Sequence, residues 1–90
     1  MAGGDGEWLI WEILPYVTAR RFEAVFSKVG APSEANAEAI LDAFVDDVVG
    51  DFRADDADHA AAWDGLSGSD QSNLCARIRE EAGYVLEEYL

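Results

Sequence analysis

One lysine (Lys28), one histidine (His59) and one cysteine (Cys75) are all that this 90-residue chain holds of three residue types on which much enzyme and metal chemistry depends. A lone cysteine closes no disulfide within the chain and has no companion at metal-ligand spacing, which suits a reducing compartment and a small apolar residue on a helix. A lone histidine has no second His or Cys pair with which to complete a zinc site, and His59 reads as a partly exposed helical residue. No Ser-His-Asp set can be assembled, because nothing marks a nucleophile. Bases of any kind are scarce, six against nineteen acids, so the chain lacks the clustered Lys and Arg that bind phosphates directly. Long apolar runs are missing too. Trp8-Leu9-Ile10-Trp11 is cut by Glu12 and Pro15 and reads as neither a signal peptide nor a membrane span. The expected compartment is the cytoplasm of a cell or of an infected host. The expected protein is not an enzyme and needs neither metal nor cofactor.

What remains is half apolar, too much for a disordered acidic tail, and of a length that supports one core. No Pro/Gly/Ser-rich linker divides it, so residues 1–90 are expected to form a single acidic helical domain. A chain this short buries only about 60% of its unfolded surface, which makes a second copy a natural source of stability.

The pattern is helical throughout. Ala37, Ile40, Leu41, Phe44, Val45 and Val48 recur at three- and four-residue spacing and draw one apolar stripe. Ser33 is placed to cap this helix, with Glu34 in its first turn. At 100° per residue Asp51 falls in the stripe, so the helix is expected to stop or bend at Gly50. Phe22, Val25, Phe26 and Val29 form an earlier stripe ending at Gly30, which Pro15 either opens or kinks. Leu74, Ile78, Ala82, Val85 and Tyr89 form the last, with Ser69 or Asp70 as its cap. A short helix is expected over 56–64, capped by Asp55 and closed by Gly65, and residues 7–14 make a further short segment. Period-two alternation and hairpin signals are both missing. The expected fold is all-α, a small single-domain bundle of about four helices.

The charge is local. Residues 1–31 hold four acids and three bases, residues 32–64 hold ten acids against Arg53 alone, and residues 65–90 hold five acids and two bases. Glu34, Glu38, Asp42 and Asp46 follow one another at i, i+4 steps and drift about 40° per step beside the apolar stripe. Like charges so placed cost an isolated helix about 0.2–0.5 kcal/mol per pair. Asp47, Asp51, Asp55, Asp56 and Asp58 carry the acidity onward, and Asp64 closes it. These aspartates do not make a calcium loop: counted from Asp56, two ligand positions fall on alanines and the last on Ser67. An exposed ladder also lacks the pocket that would push paired carboxylates apart in pKa for acid–base work. Ser33, between Pro32 and Glu34, lacks the Asp-Ser-Leu surroundings of the modified serine in acyl carrier proteins.

The expected function is therefore that of a non-enzymatic acidic binding protein. Glu34, Glu38, Asp42, Asp46, Asp47, Asp51, Asp55, Asp56 and Asp58 would present negative potential to a basic protein, such as a nucleic-acid-binding protein or nuclease, and occupy its groove as an inhibitor. Phage anti-restriction and anti-CRISPR proteins and nuclease-immunity proteins are comparable in charge and size. As a nucleic-acid mimic the ladder is sparse: its carboxylates rise about 6 Å per step, whereas a DNA strand advances about 3.4 Å per phosphate. The alternative is a homodimeric or scaffold subunit assembled through the segment Trp8–Val17, apolar on nearly every side, with Trp8 and Trp11 as its anchors, its acidity then reflecting a salt-loving host.

Overall fold

A computed structural model describes residues 9–90. They form five helices, α1 (Ile10–Ile13), α2 (Ala19–Val29), α3 (Ala37–Asp55), α4 (Ala57–Asp64) and α5 (Gly68–Leu86), with 3-10 turns at Leu14–Tyr16 and Glu87–Tyr89. Among the described residues there is no strand. Helix α3 is the central element, and α1, α2, α4 and α5 all pack on it.

Its central place follows from its stripe. Ile40, Phe44, Val45, Val48 and Phe52 are buried, and Phe44 stacks on Phe22 of α2 with ring centroids 4.1 Å apart. From α5 come Leu74, Ile78, Ala82 and Leu86, from α4 Trp63, and from the N-terminal segment Leu9, Ile10 and Ile13. No charged or polar residue is buried among the described residues, so the charge chemistry is confined to the rim of this core.

The helix ends depart from expectation in instructive ways. Helix α3 begins at Ala37, because the Asn36 carboxamide accepts from the Ser33 N–H (2.8 Å) and hydroxyl (3.0 Å) and donates to the Ala31 carbonyl (2.8 Å). Ser33 is thus spent on a turn rather than a cap, and Glu34 stands on that turn, ahead of the helix. At the other end α3 runs through Gly50 to Asp55. A mid-helix glycine costs about 1 kcal/mol, and burying Phe52 one turn after Val48 returns about 1.5–3 kcal/mol, so continuation wins. Asp51 meets Arg21 at the stripe's edge instead of entering the core.

Helix α4 is capped by Asp56, not Asp55: the Asp58 N–H donates to the Asp56 carboxylate at 2.7 Å. Helix α5 is capped by Ser67, whose hydroxyl oxygen accepts from the Asp70 N–H at 3.0 Å. Pro15 sits in the 3-10 turn, and Thr18 opens α2 by accepting from the Arg21 N–H at 3.3 Å. Gly30 closes α2 at φ +124°, a conformation that side-chain-bearing residues rarely adopt.

Candidate protein-binding surface

The acids of α3 lie along both margins of its apolar stripe. At 100° per residue Asp47 and Asp51 stand about 140–180° around the helix from Glu38 and Asp42. Each margin is met by an arginine from a neighbouring helix. Arg79 of α5 bridges Glu38 (2.5 Å) and Asp42. Arg21 of α2 bridges Asp47 (3.1 Å) and Asp51, and its Nε donates to the Tyr16 carbonyl at 2.8 Å. Lys28 adds a second contact to Asp47 at 3.2 Å. Each arginine thus spans two carboxylates one helical turn apart: Glu38 and Asp42 belong to the row whose mutual repulsion made the ladder look costly in the sequence, and Asp47 and Asp51 stand outside that row.

The later aspartates are engaged too. The Tyr16 hydroxyl donates to Asp55 at 2.5 Å, and this bond raises the Tyr16 pKa because it favours the phenol over the phenolate. Arg53 grips Asp64 with two hydrogen bonds of 3.0 and 2.9 Å, which lowers the Asp64 pKa and raises that of Arg53. Burial opposes the charge of Arg79, but its bonds to Asp42 and Glu38 outweigh that and leave its pKa raised.

Sequence reasoning saw Arg53 as the local answer to the patch. It missed Arg21 and Arg79, which lie 26 and 37 residues from the aspartates they hold. Only the packing of α2 and α5 on α3 brings them there. Of the nine carboxylates expected to bind a partner, Glu38, Asp42, Asp47, Asp51 and Asp55 are held by side chains of this chain, and Asp56 caps α4. Glu34, Asp46 and Asp58 are exposed and stand in no ion pair with the described residues.

A cleft of about 480 Å³ opens between α3 and α5, lined by Asp42, Val45, Asp46, Cys75, Ala76 and Arg79. Burial pushes the Cys75 thiol above its ordinary pKa, and Asp46 beside it pushes the same way, so the thiol is protonated at neutral pH and no activated nucleophile. His59 is half-exposed. Its ring lies flat on Phe52 at 4.2 Å, and its Nδ1 donates to the Phe52 carbonyl at 3.2 Å. Among the described residues, no three His, Cys, Asp or Glu side chains gather as a metal would need.

Trp8 lies outside the described residues. Trp11 is 69% exposed while Ile10 and Ile13 beside it are buried, so α1 is not apolar on every side in its effect: one face enters the core and one faces outward. Among the described residues, no helix is long and apolar enough to cross a membrane.

Fold and surface together define a small all-α domain with its apolar groups in one core and its charge on the rim. Residues 5–83 match the family described as T4 RNA ligase 2 C-terminal, and the chain belongs to that family. Nothing among curated proteins or solved structures matches it.

Proposed function

We propose that the chain is a non-catalytic helical binding domain of an RNA-ligase system, which docks its acidic surface on a basic protein and competes there with RNA. The observation that carries this reading is the disposition of the bases. Arg21, Lys28, Arg53, Arg77 and Arg79, five of the six, are paired with the chain's own carboxylates, which leaves no cluster with which to hold phosphates. The surface left over is acidic, through Glu34, Asp46 and Asp58. An RNA-joining protein must present a basic groove to its substrate, and that groove is the complementary partner. Membership of the T4 RNA ligase 2 C-terminal family makes the catalytic portion of such a ligase the first candidate.

The test is titration of the chain against the ligase core from the same source, at 50 and 200 mM salt, beside a fluorescent RNA duplex as a second target. Ligase binding that weakens steeply with salt, together with no RNA binding, is expected. Replacing Glu34, Asp46 and Asp58 by lysine removes the binding and leaves the circular dichroism unchanged. RNA binding by the chain itself, or ligase binding indifferent to the three reversals, overturns the reading.

The exposed Trp11 supports a second role, self-association through α1, which places a large apolar group outside the core. Light scattering across a hundredfold concentration range tests it: a strict monomer, or a dimer unaffected by Trp11→Ala, removes it.

A further inference from the structure

The bend between α3 and α4 has no local cause in the sequence. One residue separates the two helices, Asp56, in an extended conformation (φ −155°, ψ 133°). From Arg53 to Trp63 there is no glycine or proline, and five of the residues are alanine, the strongest helix former. By propensity alone α3 would run on into α4. What folds α4 back is a set of side-chain contacts that a continuous helix could not make. The His59 ring lies on Phe52, and its Nδ1 donates to the Phe52 carbonyl in the last turn of α3, where a side-chain donor helps to cap a helix. Arg53 grips Asp64 with two hydrogen bonds. At about 1.5 Å of rise per residue, a straight helix would hold Phe52 and His59 about 10 Å apart along its axis, and Arg53 and Asp64 about 16 Å.

Little apolar surface backs these contacts. Trp63 is the only buried residue of α4, against five in α3 and four in α5. Arg53 and Asp64 are 43% and 55% exposed, so solvent screens their pair. The end of α3, for its part, is held without α4. Arg21 pairs with Asp51, the Tyr16 hydroxyl donates to Asp55, and the Tyr16 ring meets Phe52 edge-on at 5.6 Å. On the far side of α4, Gln71 Nε2 donates to the Trp63 carbonyl at 2.9 Å.

We infer that α4 is a hinged flap, which swings on Asp56 and on the turn at 65–67 and opens as a unit while α2, α3 and α5 stay packed. His59, Trp63 and Arg53 close it. Units held by few buried contacts open at lower free energy than the core around them. Opening uncovers Trp63 and the face of Phe52 that His59 covers. It also carries Asp58 away from Glu34 and Asp46, the other exposed acids without an ion pair, so the acidic surface has two shapes. The flap depends only on contacts within the chain and stands apart from the docking reading.

Hydrogen exchange of the folded chain, followed amide by amide by NMR at low urea concentrations, tests it. Amides from Ala60 to Gly65 should be protected about tenfold less, or weaker still, than those from Leu74 to Ala82, and with little dependence on urea. Ile78→Val removes one methyl group from a side chain that is wholly buried. It should speed exchange in α5 about fivefold and leave α4 unchanged, since the open flap keeps residue 78 packed. His59→Ala should speed exchange in α4 about tenfold, and His59→Phe, which keeps the stack without the bond, by less. If α4 exchanges with the rates and urea dependence of α5, or is accelerated as much as α5 by Ile78→Val, it opens only with the whole fold and the flap is overturned. Exchange in α4 that ignores His59→Ala overturns it equally.

Discussion

Arg21 and Arg79 make the same kind of bridge but not with the same consequence, because their surroundings differ. The Arg21 and Asp47 side chains are 17% and 25% exposed, whereas Arg79 holds carboxylates that are 85% and 71% exposed. Solvent screens the second bridge more than the first, and exposed pairs are worth about 0–1 kcal/mol. Arg21 also supplies the hydrogen bond to the Tyr16 carbonyl, and bonds from charged groups contribute about 1.5–3 kcal/mol when partly buried. Arg21→Met should therefore destabilise the fold by about 2 kcal/mol and Arg79→Met by under about 1 kcal/mol, read from urea unfolding midpoints. Equal losses would refute the ranking. Tyr16 gives a pH dependence of definite sign. Its folded pKa is raised by the bond to Asp55, so the stability it contributes is fully present below its ordinary pKa of 10.0 and is lost as pH rises through the folded value. Unfolding midpoints measured from pH 8 to 11 should fall at the alkaline end, and Tyr16→Phe should flatten that part of the fall.

At the level of the helices, glycines separate positions where the backbone needs freedom from positions where it only tolerates it. A Cβ at Gly50 meets nothing within 4 Å, and the residue lies inside α3. Gly50→Ala should raise stability by about 0.5–1 kcal/mol, since alanine loses less backbone entropy on entering a helix. Gly30 is the reverse case: at φ +124° an alanine is strained, and Gly30→Ala should lower stability by about 1 kcal/mol or more. Both are read by thermal melts of the single variants, and a reversed sign at either position would be decisive against the account. The same comparison shows what was legible beforehand. The apolar stripes of α2, α3 and α5 repeat at helical spacing, so fold class and core could be read from periodicity. Boundaries could not, because they were settled by groups competing for the same backbone: Asn36 drew Ser33 into a turn, and Phe52 carried α3 across a glycine. The acidic positions were legible as a row along one helix. Their partners were not, since Arg21 and Arg79 become neighbours of α3 only after two other helices have docked.

For the molecule as a whole, nineteen acids stand against six bases, and repulsion among the surplus acids is expected to outweigh the individual bridges. Salt weakens both the attraction within the pairs and the repulsion among the surplus acids, but the surplus is larger and expands the chain when it unfolds. The melting temperature should therefore rise between 10 and 150 mM sodium chloride, by several degrees, and a fall would mean that the bridges dominate. Unfolding outright at low salt would favour a salt-loving host as the source of the acidity. The two kinds of contact on α3 also differ in what they can specify. Carboxylates spaced every four residues are a repeating scale: a guanidinium shifted by one turn, from Glu38 and Asp42 to Asp42 and Asp46, finds nearly the same surroundings. Phe44 against Phe22 has no such repeat, for one turn away on α3 the positions are Ile40 and Val48. Charge along this helix can say that a neighbour belongs there without saying where, and the position is written by its aromatic contacts, Phe44 on Phe22 of α2 and Phe52 under His59 of α4, each made to a different neighbour.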